Sequence, residues 1–509
     1  MGIFANPLTD LLEYEDFSRD FLKGTDPVGM TGCIDSEKVH FMSTFLGEKK
    51  VQLVVTYNEQ RAREIEEDYK LFCSQVYVIP PRDLIFFSAD LQGNAIIAER
   101  MKAFAALYQN EAKVIITTMD ALMSEAVPFE QLMSHVIKLK EGDELDLEKL
   151  KHDLTVMGYE RVGRVEEPGQ FTVHGGIADV YPLTMEVPVR IELWGDEIDT
   201  IRCFEPQSQR SMDQIESVSV FPAAEVIADD TARRRAVGMI KNELESQLAV
   251  FKKAKEPDKA KRLREETNRI LEALGEDVVL EAPDSYISYF YPRTVQLSEY
   301  FDEKNTLVFL DEPMRLKERG DGVQAEFEES MKNRLEQGFL LPGQTALLTP
   351  AKHVLAAFER GQVAALSSLD SRLADFTVVN SYAVNVQNMN TYREGFELLI
   401  KDLTHWKKEK YRIVLLCPSR TRANRIVNQL IEYDLLAYYS EDEDKKINPG
   451  EIMVTYGNLH RGFLYPMLKF AVITESDIFG VKKKKKEKKS HYHGQRISDF
   501  AQLKPGDYV

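Results

Sequence analysis

Eight residues near the start of the chain, Gly29-Met30-Thr31-Gly32-Cys33-Ile34-Asp35-Ser36, have the layout of a phosphate-binding loop. In such a loop glycine lets backbone N–H groups close around phosphates, a lysine neutralises them and a Ser/Thr hydroxyl holds magnesium. Gly29, Gly32 and Ser36 suit those roles, but the second glycine slot is Ile34 and the lysine slot is Asp35. A carboxylate at that position repels phosphate, so the loop reads as degenerate. A second vestige lies downstream. The apolar run Asn305–Pro313 ends in Asp311-Glu312, where a magnesium-holding acidic pair of the Walker B kind would sit. Without lysine and glycine opposite them, these two acids read as vestigial, with no catalytic residue and no metal site in the chain.

Three further groups have side chains that do chemistry. Around Val189–Trp194 strict alternation places Arg190, Glu192 and Trp194 on one face of a strand and Val189, Ile191 and Leu193 on the other. Arginine and tryptophan are the types most enriched at interface hot spots. The bland alternative is that Trp194 packs on its own domain and Arg190 pairs Glu192. Glu475 and Asp477 follow a strand and have the types of a nuclease pair, but no third carboxylate or lysine accompanies them at motif spacing, so they read as a solvated loop. The run Lys482, Lys483, Lys484, Lys485, Lys486, Lys488 and Lys489 is interrupted only by Glu487. It reads as a flexible linker with weak nonspecific phosphate binding as a by-product. His460-Arg461-Gly462 stands where a second helicase lobe carries arginine motifs, and one arginine without a phosphate loop makes no nucleotide site.

The elements that must position these groups alternate strand and helix. Val51–Val55, Val76–Ile79 and Lys113–Thr118 read as buried parallel strands. Between them Ala62, Ile65, Tyr69 and Phe72, then Ile97, Met101, Phe104 and Leu107, form helical stripes, and a helix is expected over Ser36–Phe45. From about residue 132 to 222 the texture turns to short alternating strands. These include a Gly169–Gly176 strand with a glycine bend and a hairpin turning at Gly195-Asp196. Thr231–Gly275 is charged and helical, broken at Pro257. A further α/β stretch runs from Phe376, with strands at Arg412–Cys417, Gly450–Tyr456 and Lys469–Thr474.

The fold class is therefore α/β multidomain: a degenerate helicase-like, P-loop-type lobe interrupted by a small, mainly β insertion, then a second α/β domain and a basic linker. The expected divisions are 1–131 for the lobe's first part, 132–222 for the β insertion and 223–375 for the lobe's second part. The second α/β domain follows at 376–480, the lysine-rich linker at 481–499, and 500–509 reads as the opening of a domain cut short.

Length and composition agree with this. At 509 residues the prior is about three or four domains, and 43% hydrophobic residues suffice for sizeable cores. The net charge of −18 argues against a surface that tracks DNA throughout. Cys33, Cys73, Cys203 and Cys417 are scattered singly, against a zinc ribbon or a disulfide framework. No run of about 18 apolar residues occurs, and the chain reads as soluble and cytoplasmic, with no membrane partner.

Taken together, the degenerate loop, the β insertion, the Asp311-Glu312 strand, the Ile473–Gly480 stretch and the lysine run resemble the N-terminal half of the Mfd family, bacterial transcription-repair coupling factors. Gly169–Pro182, Arg190–Phe204 and Ser208–Ser211 carry most of the likeness. The resemblance implies lobes like those of the excision-repair helicase UvrB with a ruined ATP site, and an insertion that binds UvrA. It matches the family's UvrA-binding arginine and aromatic to Arg190 and Trp194. The family's other arginine corresponds to His174, a departure that removes a bidentate fork. RNA polymerase, duplex DNA, ATP and magnesium are implied only for a C-terminal half carrying a DNA translocase motor, so no cofactor is expected here. The expected role is UvrA recruitment by mimicry of UvrB, without enzymatic activity. Two alternatives are a UvrB-type helicase fragment and a nucleic-acid-binding protein acting through the lysines.

Overall fold

The computed structural model describes residues 7–48, 50–82, 93–275, 283–370, 376–393, 395–442 and 445–480. The lysine run and everything after residue 480 lie outside the described residues.

The chain begins with β1 (Val28–Thr31), β2 (Val51–Thr56), β3 (Val76–Ile79) and β4 (Val114–Thr118). It then enters a mainly antiparallel domain, with one short parallel pairing of Glu160–Arg161, through Ile137–Lys140 and leaves it through Ser217–Val220, two segments paired to each other. Inside lie β5 (Glu160–Arg161), β6 (Gln170–His174), β7 (Ile177–Val180), β8 (Val189–Trp194), β9 (Glu197–Phe204) and β10 (Ser211–Gln214). The helices Asp230–Ala254 and Pro257–Gly275 follow, separated near Pro257 as the sequence predicts, with Lys255 left-handed between them at φ 58°. The chain returns through β11 (Thr306–Asp311), β12 (Val363–Ser367) and β13 (Asn380–Ala383). It ends with β14 (Gln387–Asn388), β15 (Arg412–Cys417), β16 (Ala437–Tyr439), β17 (Ile452–Tyr456), β18 (Phe463–Tyr465) and β19 (Phe470–Thr474).

The first sheet has the order β13-β1-β12-β11-β2-β4-β3, and all its pairings are parallel. Its central strands are buried on both faces, as the unbroken apolar runs of β2, β4 and β11 require. The segment at Asn380–Ala383, beyond Phe376, closes the edge of this first sheet beside β1. The sheet of the second unit runs β14-β18-β19-β15-β17-β16. Its β16, β17, β15 and β19 are parallel, and β18 and β14 are antiparallel additions.

The expected helical stripes face these cores: Ala62, Ile65, Tyr69, Met101 and Phe104 are fully buried. One core lies on each side of the first sheet. The one on the side of Val39, Phe41 and Met42 continues without a break into Val414, Met453, Phe463 and Val472 of the second unit. The insertion has its own core, built on Phe171, Val180, Val189, Ile191 and Ile201. A buried ion pair fixes its exit. Arg100 donates from Nε and Nη2 to Glu225 at 2.5 and 2.9 Å, and from Nη1 to the Pro80 carbonyl at 2.6 Å.

Candidate functional site

The sheet of the insertion has two unlike faces. In the antiparallel register Arg190 stands opposite Asp179 on β7 and Arg202 on β9, and Asp179 stands opposite Thr172 on β6. Two residues further along, Glu192 faces Ile177 and Thr200, and Ile177 faces His174. Cross-strand partners point to the same side, so His174, Arg190, Glu192 and Trp194 share the face away from the core. Val189 and Ile191, on the opposite face, are fully buried, as the alternation predicts. The two-residue turn Gly195-Asp196 joins β8 to β9 as the sequence predicts, with Gly195 left-handed at φ 68°.

Trp194 ends β8 with 84% of its surface exposed, and Ile177 nearby is 40% exposed. The bland reading, in which Trp194 packs on its own domain, does not hold. The bland partner of Arg190 is corrected too. Arg190 does not pair Glu192, which instead accepts a bond from Thr200 Oγ1 at 3.1 Å. Arg190 holds Asp179 through Nε at 2.8 Å and Nη2 at 2.7 Å, and its guanidinium lies 4.8 Å from the centre of the Phe204 ring. The bond to Asp179 raises its pKa, against the pull of partial burial. Sequence reasoning missed Asp179. Its signal was available in the Ile177–Val180 alternation after the glycine bend, but only the register aligns it with Arg190.

The loop near the start of the chain has a different fate. Gly29 lies inside β1. Gly32 is left-handed at φ 83°, and a Cβ there would sit 2.0 Å from the Val384 carbonyl oxygen. The close approach of the segment after β13 is what requires that glycine. Ile34 precedes the Asp35–Ser43 helix and donates its N–H to Glu37 Oε2 at 3.1 Å. The Asp35 carbonyl accepts from Arg61 Nη2 at 2.8 Å. Ser36 Oγ accepts the Arg461 N–H at 2.9 Å.

A lysine is present in the cleft although the loop's own slot lacks one. Lys38, on the helix, donates to Asp311 Oδ1 at 2.7 Å and Glu312 Oε1 at 2.6 Å. Asp311 also accepts from Thr56 Oγ1 at 2.8 Å and Arg61 Nε at 3.4 Å, and Glu312 accepts the Ser368 N–H at 2.9 Å. Burial alone would push the Asp311 carboxyl up, but the charges of Lys38 and Arg61 outweigh it and hold it at about 2. Burial likewise opposes the Lys38 charge, and the two carboxylates more than offset it, raising its pKa. The acids read as vestigial are thus the partners of an internal cation. No group of His, Cys, Asp and Glu among the described residues is arranged to hold a metal.

Glu475 and Asp477 do not form a solvated loop. Asp477 is buried on a short helix, where its Oδ2 accepts from the Thr474 and Gly462 N–H groups at 2.9 and 3.0 Å. Burial pushes its pKa up. Glu475 pairs with Arg422. Among the described residues no helix is long and apolar enough to cross a membrane.

The fold and its surfaces define an α/β multidomain protein with helicase-like parallel sheets and a β-rich insertion. Residues 137–225 match the family model of the UvrB interaction domain, and residues 405–478 match that of the MFD D3 domain. The chain is 29% identical over 512 residues to the transcription-repair-coupling factor of Bacillus subtilis (strain 168), covering 99% of this chain and 43% of that protein. It is 28% identical over 511 residues to that of Staphylococcus haemolyticus (strain JCSC1435), covering 96% of this chain and 41% of the relative. The chain matches the Mfd family of transcription-repair coupling factors and spans about 43% of the length of such relatives.

Proposed function

We propose that this chain is the UvrB-like module of a transcription-repair coupling factor and recruits UvrA to stalled transcription complexes. The observation that carries the reading is Trp194. It is 84% exposed at a hairpin tip, on the same face as His174 and Arg190, within the segment that matches a UvrB interaction domain. A large aromatic held in water by a two-residue turn contributes nothing to its own core, whereas desolvation against a partner would return its hydrophobic free energy. Arg190, oriented by Asp179, adds a guanidinium charge on the same face. His174 supplies less charge than an arginine would.

In this reading UvrA docks on the surface that UvrB would otherwise present to it, and the chain competes with UvrB. The α/β units are scaffold and do not hydrolyse ATP, because the ammonium in the cleft neutralises acids and the loop slot is a carboxylate. ATP, magnesium, duplex DNA and RNA polymerase are engaged by other domains of the whole protein, a DNA translocase.

The test is calorimetric titration of the chain with UvrA of the same organism, without nucleotide. Arg190→Ala/Trp194→Ala is titrated in parallel, with circular dichroism to establish folding. Binding by the parent and its loss in the folded double variant is the expected result. A folded parent that does not bind overturns the reading. Binding that persists in the double variant and falls steeply with salt assigns the contact to the lysines instead.

A further inference from the structure

After exposed Asp35, every residue of the Asp35–Ser43 helix from Ser36 to Ser43 is buried. On one side Lys38 ties it to Asp311 and Glu312 of the first unit. On the other side it meets the second unit. Tyr465 donates its hydroxyl to Glu37 Oε1 at 2.7 Å, and His40 Nδ1 lies 3.0 Å from the Tyr465 hydroxyl oxygen. The His40 ring sits 5.1 Å from that of Phe463 and 6.1 Å from that of Phe470, centre to centre. Arg461 N–H reaches Ser36, and His460 N–H reaches Asp68 Oδ1 at 2.5 Å. Gly457 approaches so closely that a Cβ there would lie 2.4 Å from Leu71 Cδ1.

In a two-unit nucleotide-driven machine, the helix after the phosphate loop grips ligand, and the seam between the units opens and closes. Here the first turn of that helix is consumed by the second unit. The acidic pair beneath it, buried Asp311 and partly buried Glu312, is held by an ammonium of the same helix, the countercharge that a buried carboxylate requires. Separating the units would strip the bonds from Glu37, Asp68 and the Arg461 amide and expose a continuous apolar core. We infer that this helix is a keystone that locks the two α/β units into one body, whose geometry does not respond to ATP. The inference goes beyond UvrA docking and does not depend on it, because the docking face lies on the insertion and the seam does not.

Hydrogen exchange read by mass spectrometry on the intact chain tests it. Amides of 36–43 and of 452–465 should be strongly protected without nucleotide and unchanged by millimolar ATP with magnesium. Tyr465→Phe should speed exchange roughly tenfold in both segments together, with β6 to β9 of the insertion unaffected. Should Tyr465→Phe not fold, Ser36→Ala, which removes the acceptor of the Arg461 amide, is read the same way. Fast exchange of 36–43 in the parent, protection that rises with ATP and magnesium, or a Tyr465→Phe effect confined to 452–465 would each overturn the inference.

Discussion

The outer face of the insertion and the ground beneath the Asp35–Ser43 helix use the same kinds of residue to opposite ends. Both have a cation on a carboxylate: Arg190 on Asp179, and Lys38 on Asp311 and Glu312. Beneath the helix, the Lys38 and Asp311 side chains are 3% and 2% exposed, and all their charge is spent internally. On the insertion the Arg190 and Asp179 side chains are 22% and 9% exposed, and Trp194, a residue with no core to join, stands further along the same face. Charged groups by themselves do not mark a functional surface. A satisfied, enclosed cluster stabilises structure, whereas an oriented charge on the same face as an exposed aromatic is available to a partner.

The sharpest way to break this comparison is to remove one cation. Lys38→Met leaves buried Asp311 with only Arg61 for countercharge and Glu312 without its cation, and should cost about 3–5 kcal/mol of stability in urea unfolding. Trp194→Ala should change the same stability by no more than about 0.5 kcal/mol. Equal losses would erase the distinction between the two regions. Next in size is binding: Trp194→Ala should weaken UvrA affinity by about 2 kcal/mol, roughly thirtyfold, and Lys38→Met, where folded, should not.

A third test uses pH. Burial raises Glu37 to about 7 against the opposing bonds from Tyr465 and the Ile34 amide and the charge of Lys38. Burial raises Asp68 to about 7 as well, against Ser36, the His460 amide and Arg61. Both carboxyls bind a proton more tightly folded than unfolded. Their contribution to stability is therefore greatest in acid and declines as pH climbs from the ordinary carboxylate range to about 7. Glu37→Gln should flatten the decline relative to the parent in unfolding curves from pH 5 to 8, and an unchanged slope would remove Glu37 as the cause. The smallest effect should come from His174→Arg, which restores a fork on the exposed face and should tighten UvrA binding severalfold without moving the melting temperature.

Much of the architecture is legible in the sequence because period and polarity are local. The buried runs of β2, β4 and β11, the stripe on Glu59–Tyr69, the break at Pro257 and the outward side of β8 all follow from side-chain spacing. The face of Arg190 and Trp194 was readable for the same reason, since a strand's two sides are fixed once its pattern is known. The sequence also determined that the loop at Gly29–Ser36 carries Asp35 where a phosphate site needs lysine.

Tertiary structure alone decided which charges meet. Lys38 and Asp311 are 273 residues apart, Tyr465 and Glu37 are 428 apart, and no local rule links them. Asp477 looked solvated because a carboxylate near a strand end usually is; its bond from the Thr474 N–H is a local capping box, and the Gly462 N–H that helps bury it comes from the fold. Periodicity is set by each residue's own backbone geometry, so it survives in the linear text. Pairing of distant polar groups is set by desolvation, which exists only once the chain has enclosed them.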